Sequence, residues 1–402
     1  MTNKTLPELV LKKREEKRLK QGHLWVYSNE VDTQKSPLKA FEAGQLVRVV
    51  SDQGKPLGTA YINPNQLICA RLLTRQNKVV INETFFKKRF QAAQALRDMV
   101  YDQPYYRLVF GESDFLPGLV VDRFGDALVV QITTAGMEAL KPMVMQVLEN
   151  LYHPRVMLFR NDLPVREQEG LSLENDWAPG SEQPETVPMV ENGATFEVPI
   201  VAGQKTGWFY DHRSARAQLQ QWAKGKRVLD VFSYAGAWGI EAAVAGASDV
   251  TCVDASAKAL DWVDRHGELN GVADRLTGIE GNAFDALKSL AAEGHKYDVV
   301  VIDPPAFIKR KKDLKEGTRA YQRLNELAIR LVEPGGLLVS ASCSYHLSAQ
   351  ALLTLAQQAA RQHDRQLQLL SPGHQSPDHP VHPAIQETDY LKSFFFRVTA
   401  TV

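Results

Sequence analysis

Two short segments of this 402-residue chain carry side chains able to do covalent chemistry, Asp303-Pro304-Pro305-Ala306-Phe307 and Ser342-Cys343-Ser344-Tyr345-His346. Each follows an apolar run of strand character, at 297–302 and 336–342. Two successive prolines can continue neither a ladder nor a helix, so they fix a rigid strand exit that aims Asp303 into a cleft. Cys343 lies one residue past its strand in a polar loop, whereas Cys69 and Cys252 sit inside apolar strand patterns and read as small core hydrophobes. A thiol beside a carboxylate suits a reaction at an electron-poor ring. Cytosine C5 is a poor nucleophile. A thiolate added at C6 makes C5 electron-rich enough to take a methyl group, after which a base removes the C5 proton and the thiol leaves. Asp303 would hydrogen-bond the N3/N4 edge of the base and stabilise the adduct, and the base would have to leave its stack to arrive there. Methylation of a ring amino group is the alternative, and it needs the carboxylate loop but no thiol.

The methyl donor is suggested by a third segment, Asp230-Val231-Phe232-Ser233-Tyr234-Ala235-Gly236-Ala237-Trp238-Gly239. Its glycines allow a tight strand-to-helix turn and close approach of the backbone to a ligand, and Asp254, at the next acidic strand end, would hold a ribose diol. A dinucleotide site wants glycine where Tyr234 stands. The bulky side chain argues instead for S-adenosylmethionine, whose cationic methionine end Asp230 would face. This acidic-then-glycine loop resembles the first cofactor motif of class I methyltransferases. Gly281-Asn282-Ala283-Phe284 resembles the pair with which that superfamily reaches the adenine amino group, with Asn282 and Ala283 in that place. The Asp-Pro-Pro loop resembles those of methyltransferases that act on planar nitrogen-containing rings, so Pro304, Pro305 and Phe307 are expected beside the substrate.

These loops need a sheet to hold them. From residue 227 onward, strand patterns (228–232, 250–254, 297–302, 336–342) alternate with helical ones (236–247, 257–269, 319–331), which predicts a doubly wound, mostly parallel sheet with its site at the strand C-terminal ends. Residues 1–75 read as short strands and turns forming a small β-barrel. Residues 76–190 read as a central α+β domain with helices at 84–99 and 137–151. The composition of 179–188 suggests a linker, with residues 191–402 forming the third domain.

Lys and Arg total 47, as do Asp and Glu, which argues against a protein that coats nucleic acid indiscriminately. The cations are nonetheless clustered: Lys12 to Lys20, then Lys87, Lys88 and Arg89, then Lys309, Arg310, Lys311 and Lys312 directly after the proline loop. Clusters of this kind are commonly solvated faces, but the last falls beside the proposed reaction site and is expected to contact RNA phosphates. No stretch approaches the ~20 apolar residues of a membrane span and no apolar signal segment follows Met1, so a cytosolic location without membrane attachment is expected. The three cysteines lie far apart with no Cys-x-x-Cys, so neither a disulfide framework nor a zinc ribbon is suggested. His374, His379 and His382 lie in a proline-rich loop with no metal-ligand pattern, and no metal is expected.

The chain as a whole closely resembles the bacterial 23S ribosomal RNA (cytosine-C5)-methyltransferase I family. The resemblance rests on the segments already quoted, on Gly203-Gln204-Lys205-Thr206-Gly207-Trp208-Phe209-Tyr210-Asp211-His212-Arg213, and on Asp378-His379-Pro380 with residues 387–392. It implies an α/β architecture with an N-terminal RNA-binding PUA barrel, a central α+β domain and a Rossmann-like class I methyltransferase domain. It also implies Cys343 as nucleophile, and Lys205, Asp211 and Arg213 beside the S-adenosylmethionine pocket together with Phe232, Tyr234 and Gly236. The partner would be 23S ribosomal RNA, free or in a particle, and the chain would act alone or as a homodimer. An RNA amino-group methyltransferase, or a non-catalytic RNA-binding assembly factor, are the rival readings. The intact set of Asp230, Asp254, Asp303 and Cys343 weighs against the last.

Overall fold

A computed structural model describes residues 6–401 of the chain. It divides into two compact units. The first comprises the chain up to Pro188 together with Val198–Tyr210 and Pro377–Thr388, and the second comprises Met189–Glu197, Asp211–Ser376 and the segment from Asp389 onward. The first unit contains both N-terminal regions and includes two segments from beyond residue 190. Physical anchors explain one of them: Ile385 packs in the core of the N-terminal sheet, and the Asp378 carboxylate accepts a hydrogen bond from the Arg107 amide.

Within the first unit, strands Glu8–Val10, Leu46–Val50, Pro56–Ile62, Ile68–Thr74 and Trp25–Tyr27 form one five-stranded sheet in that spatial order. Their inward residues, among them Val26, Val47, Ile62, Cys69 and Leu72, make its core. A second five-stranded sheet contains Tyr105–Phe110, Leu119–Phe124, Ala127–Ile132, Val156–Phe159 and Asp176–Trp177, covered by helices that include Glu83–Asp98. The single helix expected over 137–151 is two helices, Ala135–Ala139 and Lys141–Tyr152, because Pro142 sits in the first turn of the second, where its missing N–H is tolerated and its fixed φ starts a helix.

The second unit is built on a seven-stranded sheet: β1 (Arg227–Val231), β2 (Asp249–Asp254), β3 (Leu276–Glu280), β4 (Tyr297–Ile302), β5 (Val332–Ser342), β6 (Arg365–His374) and β7 (Lys392–Ala400), in the spatial order β3-β2-β1-β4-β5-β7-β6. The first five are parallel, and β7 runs antiparallel between β5 and β6. Val228, Leu229, Val231, Val299, Val300 and Val301 are all buried, as expected of central parallel strands covered on both faces. Six helices supply the cover: α1 (Arg213–Ala223), α2 (Ala237–Val244), α3 (Ala257–Leu269), α4 (Ala283–Ala292), α5 (Leu314–Leu331) and α6 (Ala349–Gln362). The N-caps Ser256, Asn282 and Ser348 each accept a backbone N–H at the start of α3, α4 and α6.

The boundary expected near residue 190 falls inside a strand. Val187–Glu191 pairs with Ala194–Val198 as a two-stranded sheet, with Val187, Met189 and Glu191 buried on alternate positions, so the proline-rich composition before it marks only the approach to the hairpin.

Candidate active site

The sheet order brings the C-terminal ends of β3, β2, β1, β4 and β5 into one row, and every strand-end residue singled out in the sequence lies along it. The row has two halves, meeting where β1 neighbours β4 and the chain direction of assembly reverses, the usual place for a ligand crevice in such sheets.

On the β1 side, the chain leaves the sheet through Phe232 (φ +67°), Tyr234 (φ +49°) and Gly236 (φ +78°). Two non-glycine residues in the left-handed region require support. The amides of Phe232 and Ser233 donate to the Val253 carbonyl at 2.9 and 3.1 Å, and the Tyr234 amide donates to Asp254 Oδ2 at 2.9 Å. Gly236 is close-packed as well: a Cβ there would stand 3.0 Å from Val263. At Gly239 a Cβ would stand 2.8 Å from the Cys252 sulfur, so glycine lets α2 lie directly on the sheet. The Gly239 amide donates to Asp230 Oδ2 at 3.0 Å, while Asp230 Oδ1 is buried with no protein partner. Burial, reinforced by the negative charges of Asp303 and Asp254 and opposed by the Gly239 hydrogen bond, raises the Asp230 pKa to about 7.

Asn282 and Ala283 stand at the turn from β3 into α4. Asn282 Oδ1 is occupied as an N-cap, accepting from the Phe284 amide at 3.0 Å. The Phe307 ring, from the proline loop, lies 6.3 Å from Phe232, 6.2 Å from Phe284 and 4.9 Å from Tyr321, centroid to centroid. Phe307 therefore joins the two halves of the row instead of belonging to the β4 side alone.

At the end of β4, Asp303 is held on both oxygens. Trp238 Nε1 donates to Oδ2 at 3.1 Å, and His212 Nε2 lies 3.0 Å from Oδ1. His212 is buried against the Trp238 ring and its Nδ1 has no partner. Burial alone would push the imidazole pKa down, but the adjacent Asp303 carboxylate outweighs it and the pKa rises. Next to it, Asp211 Oδ2 accepts from the Tyr390 hydroxyl at 2.6 Å, and Arg213 opens α1. Lys205 belongs to the first unit, where its ammonium lies 4.6 Å from the Phe209 ring centroid; the 203–213 segment is thus shared between the units.

At the end of β5, Cys343 is partly exposed and its sulfur lies 3.9 Å from the Pro304 carbonyl oxygen. The loop around it is tied down. Ser342 Oγ donates to the Tyr321 hydroxyl at 3.0 Å, Tyr321 and Ser344 share a hydrogen bond of 2.9 Å, and Ser344 Oγ accepts from the Ile308 amide at 3.2 Å. Lys392 donates to the carbonyls of Ser344 and Leu347 at 2.7 and 2.6 Å. Burial pulls the Lys392 pKa down to about 8 against the opposing pull of Cys343 and Asp389. Lys309, Arg310, Lys311 and Lys312 follow on the exposed surface, with Arg310 3.6 Å from Asp313.

His212, Trp238, Tyr321 and Lys392 are the site residues that sequence reasoning assigned no role. Three of them lay within the segments quoted above, and all four act by contacts between residues 21 to 91 positions apart, which local spacing does not encode. His379 pairs with Asp378 at 2.9 Å, and no group of three or more His, Cys, Asp or Glu among the described residues is arranged to hold a metal ion.

Residues 9–75 match the model of a PUA-like domain, and residues 170–397 match that of the S-adenosylmethionine-dependent methyltransferases. Among curated proteins, the ribosomal RNA large subunit methyltransferase I of Klebsiella pneumoniae (strain 342) is 35% identical over 402 residues, covering 99% of this chain and all of the relative. Its namesake in Enterobacter sp. (strain 638) is 36% identical over 394 residues, covering 97% and 99%. Among solved structures, SMU.776, a candidate methyltransferase in complex with SAH, shares the fold with a TM-score of 0.82 at 23% identity, covering 98% of this chain and all of that one.

Proposed function

The chain belongs to the ribosomal RNA large subunit methyltransferase I family of S-adenosylmethionine-dependent methyltransferases, and we propose that it methylates C5 of a cytosine in large-subunit ribosomal RNA through a covalent adduct on Cys343. The observation that carries this reading is the placement of a partly exposed thiol 3.9 Å from the Asp303-Pro304-Pro305 loop, on the strand beside it.

S-adenosylmethionine is the cofactor, and when bound it supplies the electrophilic methyl group. The residues present fit it. Asp230 offers a buried oxygen without a protein partner, suited to the cationic methionine end, and Asp254 offers acceptors for a ribose diol. The rings of Phe232, Phe284 and Phe307 suit an adenine, with Asn282, Ala283, Tyr234 and Gly236 lining the turns around it. Asp211 and Arg213 flank His212, which lies against Asp303.

On the substrate side, the Cys343 thiolate adds to C6, forming the S–C6 bond as the C5–C6 π electrons move into the ring, and C5 becomes the nucleophile. Asp303, fixed by Trp238 and His212, accepts a hydrogen bond from the base edge. After methyl transfer a base takes the C5 proton, the C5–C6 double bond re-forms and the thiolate leaves. Pro304 and Pro305 keep the loop from yielding to the incoming ring. Lys309, Arg310, Lys311 and Lys312 are exposed cations positioned to meet RNA phosphates, each contact adding about 0.7 to 0.9 to the salt dependence of binding.

The test uses large-subunit ribosomal RNA transcribed with 5-fluorocytosine. Fluorine cannot leave C5 as a proton does, so wild-type protein should be trapped as an adduct stable to denaturing electrophoresis, and Cys343→Ala should form none and lose turnover while still binding S-adenosylmethionine. Full activity of Cys343→Ala, or 4-methylcytosine as product, would overturn the carbon mechanism in favour of amino-group methylation.

A further inference from the structure

The first unit contains a cleft of about 800 Å³ that none of the chemistry above uses. Its lining is cationic and aromatic: Arg18, Arg75 and Arg89, His23 and His382, and Phe115, with no aspartate or glutamate. In a chain with equal numbers of acidic and basic residues, this is a local excess of positive charge. It also gathers distant parts of the sequence, since Arg18 comes from the first basic cluster, Arg89 from the second, and His382 from the proline-rich loop near the C-terminus.

Two side chains in it are costly unless something binds them. Arg89 is half-buried, its guanidinium lying 5.3 Å from the Phe85 ring centroid and 5.2 Å from that of Phe115. It donates to the Leu73 carbonyl at 3.0 Å and no carboxylate among the described residues pairs with it. Arg18, in contrast, is neutralised by Glu30. Phe115 is 44% exposed although aromatic and stands at φ +58°, a backbone conformation unfavourable for a bulky residue. An exposed ring held in place beside an unpaired planar cation is the arrangement that accepts a stacked base with its phosphate.

We propose that this cleft holds one unpaired nucleotide of the RNA substrate, its base stacked on Phe115 and its phosphate on Arg89, with Arg75 meeting the neighbouring phosphate at the rim. The inference rests on the RNA reading given above and deepens it. The cleft lies wholly within the first unit and serves as an anchor for the RNA, and the volume suits a single nucleotide better than it suits a peptide, which needs an extended groove or an exposed strand edge.

The test uses the full-length protein and an unmodified transcript of large-subunit ribosomal RNA carrying 4-thiouridine. Ultraviolet cross-links read by mass spectrometry should fall on the peptides that contain His23 and Phe115. Arg89→Gln and Phe115→Asn should each weaken RNA binding about tenfold, Phe115→Trp should retain it, and Arg89→Gln should lower the salt slope by about 0.7. An unchanged thermal unfolding profile together with unchanged S-adenosylmethionine affinity shows that the variants are folded, and Arg75→Gln, on the exposed rim, repeats the slope measurement without disturbing packing. Methylation by the wild type with unaltered RNA affinity in all these variants overturns the cleft inference and leaves the methyltransferase reading standing. Failure of the wild type to bind or methylate the transcript, while it binds S-adenosylmethionine, overturns the RNA reading and this inference with it. Displacement of the transcript by an acidic peptide with no cross-link in the cleft assigns the surface to a protein partner and likewise overturns it.

Discussion

Arg97 in the first unit and Asp230 in the second are both fully buried ionisable groups, yet their surroundings differ. Arg97 forms a two-pronged pair with Asp114 at 2.6 and 2.8 Å and donates further to the carbonyls of Arg107 and Asp378. Asp378 in turn is held by His379 and the Arg107 amide, and these partners outweigh the burial that would push its pKa up, so it falls below the usual carboxylate value. Asp230 has one partnered oxygen and one bare one, and burial dominates it. Ser233, just past β1, and His212, against Asp303, also carry buried polar atoms without partners, as do Gln131 and Tyr152 in the first unit. Full satisfaction marks a structural network. The bare oxygen of Asp230, on the cofactor side of the row of strand ends, suits a group whose remaining partner comes with a ligand.

Replacing Arg97 by Met strikes the satisfied network and gives the largest expected effect. It strands Asp114 in the interior, and unfolding in denaturant should show a loss of about 3 to 5 kcal/mol. A loss below about 1 kcal/mol would mean that water reaches the pair and that the network is not structurally decisive.

Asp254→Ala removes a ligand-facing carboxylate and should weaken S-adenosylmethionine by about 1.5 to 3 kcal/mol in calorimetry. Equal affinity in a folded variant would count against the assignment of this strand end to the cofactor.

His212→Asn keeps a donor beside Asp303 but removes the titratable charge. Because the folded-state pKa is raised, the ion pair's contribution is fully present below the unfolded value of about 6.5 and fades as pH rises through the folded value. Wild-type kcat should therefore lose activity on that rising limb, and the variant, about tenfold slower, should lack the limb. A variant with the wild-type pH profile would reduce His212 to packing.

Asp230→Asn gives the smallest change and the opposite sign. Between the ordinary aspartate range and about pH 7, the folded protein holds a proton that the unfolded chain has released, so wild-type stability declines as pH rises across that window. The amide removes the decline, and at pH 8 the variant's Tm should be higher by about 2 to 4 °C while its S-adenosylmethionine affinity falls. A lower Tm would show that the bare oxygen is already satisfied in the free protein.

The strand ends were the most legible part of the sequence, and for a physical reason. Buried parallel strands are unbroken apolar runs, and their polar exits stand out: the pattern found β4 and α3 to the residue, and put Asp230, Asp254, Asp303 and Cys343 just where such runs stop. What could not be read was pairing at a distance. Nothing in residues 392–400 announces that they run antiparallel between β5 and β6, because the phenylalanines at 394, 395 and 396 would serve any buried strand. Nor does any local signal say that His212 meets Asp303, or that Pro142 splits a helix whose apolar periodicity continues across it. The hairpin at 187–198 was hidden by the prolines and acidic residues that precede it.

The place of β7 between β5 and β6 also sets the order in which the site can be made. As the chain emerges, β1 through β5 can assemble before the C-terminal strand exists, but β5 then presents an unpaired edge, and β6 has nothing to dock against until β7 arrives. The same late strand brings Lys392, whose two hydrogen bonds fasten the loop after Cys343. The nucleophile's loop is therefore organised last, when the C-terminal strand arrives. A destabilised β7 should yield chains with an intact cofactor half, an adhesive sheet edge and a slack thiol loop, which is a recipe for self-association before any loss of secondary structure.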